Sequence, residues 1–320
     1  MDYLLLLLGF VLLIKGADLL IDGAAGLAKS LGLSPMIIGL SIVAFGTSAP
    51  EAAISISAAL QGSYEIALSN IVGSNIFNVA VVIGVMALLM PLKVDRQTTR
   101  REIPYALLAC VLLLILVFDS ALQYGESSVI TRGDGLIFLF FFSMFIYYLF
   151  RVASKTSNNS PKIEKPPACS KNHNKAKQVF LFIIGLAGII LGGKFVVDSS
   201  VAIALSWGIS ETLIALTIIA AGTSLPELVA GIVAVVKKEI DIAIGNIIGS
   251  SIFNILFVLG VTSVITPIYA TSEQIIDTFI MVFLHILLLI FAINKFTISR
   301  KEGFILFSSY LAFLAFIIIR

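Results

Sequence analysis

Ten apolar runs of about 20 residues, each bounded by polar or charged residues, divide the chain at roughly 3–30, 35–61, 65–90, 102–121, 131–151, 178–206, 211–236, 241–266, 275–294 and 302–319. A helix of about 20 residues crosses the ~30 Å hydrocarbon core of a bilayer, and a helix satisfies every backbone N–H and C=O from within. The pattern predicts an all-α integral membrane protein of ten transmembrane helices. Composition agrees, with 59% hydrophobic and only 12% charged residues in 320, against about 25% charged in a soluble domain. A net charge of +2 gives no footing for nucleic acid. Cys110 and Cys169 form no metal or disulfide framework and are read as free thiols. The first residues, MDYLLLLLGFVLLIKGADLL, lack the basic start and small-residue cleavage site of a signal peptide and are expected to form a retained first span.

One polar, proline-bearing and basic segment, 152–177, separates five runs (1–151) from five more (178–320). The cations fall almost entirely on alternate loops: Lys29, the group Lys93 to Arg101, the segment from Arg151 to Lys177, then Lys237 and Lys238, and finally Lys295 to Lys301. The opposite loops hold essentially Arg132. Positive loops stay cytoplasmic, so the linker is expected inside the cell and both termini outside. The two halves are also copies. A shift of about 176 residues aligns 22–91 with 198–267 without a gap, and 41–91 share about 22 identities with 217–267. An odd number of spans per half makes the second copy enter the membrane from the other side, the inverted repeat of secondary transporters.

Two polar motifs repeat in that register: AFGTSAPE meets AAGTSLPE, and SNIVGSNIFN meets GNIIGSSIFN. Pro50 and Pro226 lack an N–H and clash with the carbonyl four residues back, so helix 2 and helix 7 are expected to break and to turn backbone carbonyls toward protein, water or a cation. Thr47 with Glu51, and Thr223 with Glu227, are four apart and share a helix face. Ser74 with Asn78, and Ser250 with Asn254, repeat that spacing in helices 3 and 8, which are expected to break at the same depth. A carboxylate at the bilayer centre costs about 2.5–3.5 kcal/mol on insertion scales. Lys15 and Lys194 are the nearest cations by sequence, placed to snorkel or to pair with Asp18, Asp22 or Asp198. The simplest compensation is a bound cation. Oxygen-only donors, two of them anionic, suit a hard ion such as Ca²⁺, which takes about 6–8 oxygens, and the absence of Cys, His and Met from the motifs argues against zinc or copper.

These motifs resemble those of the sodium/calcium exchanger family, within the calcium/cation antiporters, and its compact prokaryotic members in particular. The resemblance covers the whole chain in span count and repeat order. It implies that Glu51 and Glu227 are shared by Ca²⁺ and Na⁺, that the carbonyls of Thr47 and Thr223 complete the calcium shell, and that Ser48, Ser74, Ser224, Ser250 and the carbonyls of Ala44 and Ala220 help to bind Na⁺. Asn78 and Asn254 match the family's central positions in the third and eighth spans. Some members, including those that carry K⁺, have Asp where this chain has Asn254, so potassium coupling is not expected. The resulting expectation is an antiporter and not an enzyme, with no cofactor, with Ca²⁺ and Na⁺ as transported ions, with membrane lipid around it, and working as a monomer. Spans one and six, rich in Gly16, Ala17, Gly23, Gly192 and Gly193, are expected to slide against the rest of the bundle.

Other readings attach to the same residues. A proton/calcium antiporter could use the same glutamates, although the hydroxyl-rich GTS-x-PE motif favours Na⁺, since a proton needs only the carboxylate. A cation channel would conduct without a counter-ion, and an intramembrane acid/base enzyme would pair two Asp residues. Gly73, Gly84, Gly249 and Gly260 are packing sites first. Ser74 and Ser250 could bond back to their own helices, and Asn78 and Asn254 could bond across helices. His285 is read as a packed neutral residue, not a proton relay.

Overall fold

The computed structural model describes residues 2–122, 128–159, 175–208 and 220–319. Most of the linker lies outside these residues, as does 209–219, which holds the first nine residues of the expected seventh span. The described chain is almost wholly helical: α1 (Asp2–Leu31), α2 (Pro35–Thr47), α3 (Ala49–Leu60), α4 (Tyr64–Leu89), α5 (Thr98–Phe118), α6 (Arg132–Ser154), α7 (Lys175–Ser206), α8 (Leu225–Val236), α9 (Ile240–Ile265), α10 (Ser272–Ile293) and α11 (Arg300–Ile319). Eight of these are long and apolar enough to cross a membrane, and α2 with α3, bent by 46° at one intervening residue, makes nine. α8 is a short apolar helix that follows a three-residue helical piece, Ala220–Gly222, and a turn at 223–224.

Local chemistry sets several boundaries. Ser34 caps α2 by accepting the Ile37 N–H at 3.3 Å, with Pro35 in the first turn, where its missing N–H costs nothing. Thr271 and Gln274 form a reciprocal capping box on α10. Four short strands punctuate the loops. β1 (Leu92–Lys93) pairs antiparallel with β4 (Thr297–Ile298), and β2 (Ser128–Ile130) with β3 (Ile268–Ala270). β1 follows α4 and β3 follows α9, so the equivalent strands of the two halves join different ribbons.

Burial separates the centre from the lipid-facing shell. The apolar stretch of α4 is 83% buried and that of α9 is 94%, against 11% for α11. α4 and α9 were expected to break, and they do not. Neither contains a proline, and each runs as one span with a π-helical stretch, Asn78–Ile83 in α4 and Phe253–Leu259 in α9. The wider turn keeps the backbone bonded while re-aiming side chains, as π turns commonly do at functional sites.

α1 and α7 lie against each other, antiparallel, along a glycine seam. A Cβ on Gly9 would lie 2.9 Å from the Val196 nitrogen, one on Gly16 2.6 Å from the Ile189 nitrogen, and one on Gly23 2.6 Å from the Phe182 nitrogen. A Cβ on Gly192 would in turn lie 2.6 Å from the Leu13 nitrogen. The seam glycines recur every seven residues, which keeps one face of each helix on its partner. The small residues of spans one and six therefore join the two to each other, whereas sequence reasoning had turned them toward the bundle. Gly193 is an exception, with its Cβ position 3.8 Å from the Pro226 ring.

Lys15 and Lys194 are exposed, and among the described residues neither pairs with Asp18, Asp22 or Asp198. Lys237, at the end of α8, reaches Asp18 at 2.7 Å and Asp22 at 2.6 Å and also donates to the Asp18 carbonyl. Burial pulls the Lys237 pKa down, but its bonds to the two carboxylates more than offset this and hold the ammonium above its ordinary value. This contact ties α1 to the bundle at the end that carries the positive loops.

Candidate functional site

The bend between α2 and α3 falls at Ser48, whose backbone (φ −85°, ψ 6°) is not helical. Pro50 in the first turn of α3 is the physical cause. Ser224 holds nearly the same conformation (φ −92°, ψ 7°) ahead of Pro226 and α8. Glu51 and Glu227 therefore both sit in the first turn of a helix, where the N-terminal end of the backbone dipole favours negative charge. Both are fully buried.

The serine at each bend reaches across to the carboxylate of the other half. Ser48 Oγ donates to Glu227 Oε1 at 3.0 Å, and Ser224 Oγ donates to Glu51 Oε1 at 3.3 Å. Thr47 Oγ1 donates to Asn246 Oδ1 at 3.0 Å. The packing is crossed in the same sense: α3 touches the π stretch of α9, and α8 touches the π stretch of α4. The Ala44 carbonyl accepts the Ser48 N–H at 3.0 Å and, at 3.5 Å, the Thr47 hydroxyl. Ala220 opens the short helical piece before α8.

Around these bonds lies a concentration of buried polar atoms without partners. They include the second carboxylate oxygens of Glu51 and Glu227, the hydroxyls of Ser74, Ser250 and Thr223, both amide atoms of Asn78 and Asn254, and Asn246 Nδ2. Buried polar groups are ordinarily bonded, and each orphan costs about 1–3 kcal/mol. Among the described residues the two glutamates make no ion pair, and Lys237 pairs with Asp18 and Asp22 instead. The described residues also hold no cluster of three or more His, Cys, Asp or Glu suited to a metal. The donor set is instead two acids surrounded by hydroxyl and amide oxygens, the chemistry of a hard cation.

Ser74 and Ser250 have no hydrogen bond back to their own helices, and Asn78 and Asn254 none across helices. Sequence reasoning missed the asparagines one turn earlier. Asn246 takes the Thr47 hydroxyl, and Asn70 donates to the Glu51 carbonyl at 3.3 Å and to Ser55 Oγ at 2.9 Å. The signal was present: 70, 74 and 78, like 246, 250 and 254, step by four along one face, and Asn70 and Asn246 correspond in the repeat. His285 bonds through Nδ1 to the Met281 carbonyl on its own helix, as a packed residue does.

Residues 1–151 and 177–319 match the family described as "Sodium/calcium exchanger protein". The putative antiporter CaxA of Alkalimonas amylolytica is 39% identical over 90% of this chain and 90% of its own length. The sodium/calcium exchanger MaX1 of Methanosarcina acetivorans is 35% identical over 98% of this chain and 97% of its own. The sodium-calcium exchanger NCX_Mj, in a solved structure soaked with 10 mM Na⁺ and zero Ca²⁺, superposes with a TM-score of 0.82 at 30% identity, covering 98% of both chains.

Proposed function

This chain belongs to the sodium/calcium exchanger family of membrane antiporters, and from that premise we propose that it exchanges Na⁺ for Ca²⁺ by alternating access, normally extruding Ca²⁺ on the Na⁺ gradient. The observation that carries the reading is the pair of buried carboxylates, each bonded through one oxygen to a serine of the other half and each leaving Oε2 unpartnered. One Ca²⁺ neutralises both, as do two Na⁺, and a further Na⁺ held by neutral oxygens makes the exchange electrogenic. Competition for shared ligands makes exchange obligatory, since the empty, doubly anionic site resists crossing a low-dielectric barrier.

In this reading Glu51 and Glu227 serve both ions. The carbonyls of Thr47 and Thr223 complete the calcium shell, and Ser48, Ser74, Ser224, Ser250 and the carbonyls of Ala44 and Ala220 serve Na⁺. Asn78 and Asn254 supply central amide oxygens. The chain works as a monomer of ten spans in two inverted repeats, 1–151 and 178–320, joined by the cytoplasmic linker 152–177, with both termini outside. The placement of β1 and β3 in different ribbons supports the inversion. α1 and α7, fastened by their glycines, slide as one body.

A proton-coupled exchanger is the second reading, since two protons would also neutralise the glutamates. The unpartnered hydroxyls of Ser74 and Ser250 favour Na⁺, because a proton has no use for them. Calcium-45 uptake into Na⁺-loaded proteoliposomes, diluted into Na⁺, K⁺ or choline at fixed pH, separates the two. Uptake is expected only with an outward Na⁺ gradient. Uptake driven by a pH gradient alone assigns the proton, and uptake indifferent to both sinks the antiport reading.

Asn254→Asp adds a third carboxylate beside the two glutamates. The expected result is retained calcium binding with altered dependence on Na⁺ or K⁺, read by repeating the flux in each medium. Unchanged ion dependence removes Asn254 from the site.

A further inference from the structure

A polar cavity of about 180 Å³ opens at the end of the bundle that carries the positive loops. Its lining includes Ser34 at the start of α2, Asp95 in the loop before α5, Thr98 and Glu102 in the first turns of α5, Tyr148 near the end of α6, and Asp241 at the start of α9. Asp95 and Asp241 are exposed, whereas Glu102 is 2% exposed. Its Oε1 accepts the Tyr148 hydroxyl and, at 3.4 Å, Gln97 Nε2. Its Oε2 is buried and has no partner. Arg101 reaches the Tyr148 hydroxyl but does not line the cavity, and among the described residues none of the three acids makes an ion pair.

The repeat supplies an internal comparison. At the same offset of 176, Asp95 corresponds to Thr271, Glu102 to Thr278 and Thr98 to Gln274. There Gln274 Nε2 donates to the Glu65 carbonyl and to Ser69 Oγ, both at 2.8 Å, and Thr278 donates to the Gln274 carbonyl at 2.7 Å. Two of the three acids thus have neutral counterparts in the second copy, and the third, Asp241, has Glu65 as its counterpart. Here three acids line an open cavity, and one of them, Glu102, keeps a buried carboxylate oxygen without a partner, an arrangement that costs stability unless something cationic enters.

We propose that this cavity is a second cation site, separate from the one around Glu51 and Glu227, and that it holds a divalent cation retaining part of its water. The acids are not gathered closely enough to enclose a bare ion. The volume leaves room for a cation with several waters, and divalent ions, Mg²⁺ above all, bind readily through one or two carboxylates with waters completing the shell.

The test is calcium-45 equilibrium dialysis on the full chain in detergent, in a Glu51→Gln, Glu227→Gln background that removes the charges of the first site. About one Ca²⁺ per chain is expected to remain, to be displaced by excess Mg²⁺, and to be lost on adding Glu102→Gln. Asp241→Asn, an exposed change that does not threaten folding, is expected to weaken the remaining binding roughly tenfold by loss of one nearby charge, and it decides the matter should Glu102→Gln not yield monodisperse protein. No residual calcium, residual calcium that ignores Mg²⁺, or residual calcium untouched by both substitutions overturns the proposal.

Discussion

Glu51→Gln is expected to abolish sodium-driven calcium flux, by at least about a hundredfold, in a protein that stays folded. The carboxylate is fully buried and its Oε2 faces no protein donor, so in this reading its charge meets only the ion. Removing one unit charge a few ångströms from Ca²⁺ in a poorly solvated site forfeits several kcal/mol of attraction, where each 1.4 kcal/mol is tenfold in affinity. Glutamine nevertheless fills the same volume and keeps an oxygen to accept the Ser224 hydroxyl now held at 3.3 Å. The ion-free variant should therefore melt no lower than the parent, since one of two buried like charges has gone. Ligand that binds only the folded state raises the melting temperature, so the parent's calcium-induced rise should vanish in the variant. Glu227→Gln should behave alike, because its bond to Ser48 mirrors the first. Wild-type flux in either variant, or an undiminished calcium-induced rise, would remove that glutamate from the site.

Much of this arrangement is legible without coordinates because membranes penalise disorderly sequences. A buried Glu beside Pro, repeated in register, has few uses at bilayer depth, and the span limits follow from hydrocarbon thickness. Features that depend on which face meets which neighbour were not legible. The glycines of spans one and six announced close packing, but only the fold shows Gly16 against Ile189 rather than against the bundle. The polar ladder of α4 and α9 predicted breaks. With no proline to enforce them, the helices absorb the irregularity as π turns at Asn78–Ile83 and Phe253–Leu259. Lys237 finds Asp18 and Asp22 across more than 200 positions of sequence, a pairing that local spacing could not reveal. Asn70 and Asn246 were visible as repeat partners, and their role as second-line supports for Glu51 and Thr47 appears only when the helices cross.

The surroundings of Thr47 depend on how closely α9 approaches α2, and that approach is set by glycine. A Cβ on Gly249 would lie 2.6 Å from the Leu40 carbonyl oxygen and 2.7 Å from the Ala44 Cβ, and one on Gly245 would lie 2.8 Å from the Met36 carbonyl oxygen. These are backbone atoms and a short side chain, so they cannot swing aside as the end of a long side chain could. Gly249→Val is therefore expected to push the two helices apart, at a cost of roughly 1–3 kcal/mol in stability for the overpacking. The displacement falls on α2 just before Ala44 and Thr47 and strains the 3.0 Å bond from Thr47 to Asn246. In the functional reading above, Thr47 and Ser48 are ligands or hold ligands in place. A site displaced by about 1 Å loses much of its function, so calcium flux should fall at least about tenfold and the calcium-induced rise in melting temperature should shrink. Gly16→Val supplies the contrast. Its Cβ would crowd the Ile189 nitrogen at 2.6 Å, in the α1–α7 seam and not in the α2–α9 contact, so it should destabilise comparably while preserving that calcium-induced rise. Gly133→Ala, whose Cβ would meet only Thr131 Oγ1 at 3.5 Å, should change neither. Equal loss of the calcium response in both valine variants would mean that general loosening governs it. A parental response in Gly249→Val would mean that the α2–α9 contact does not shape the site.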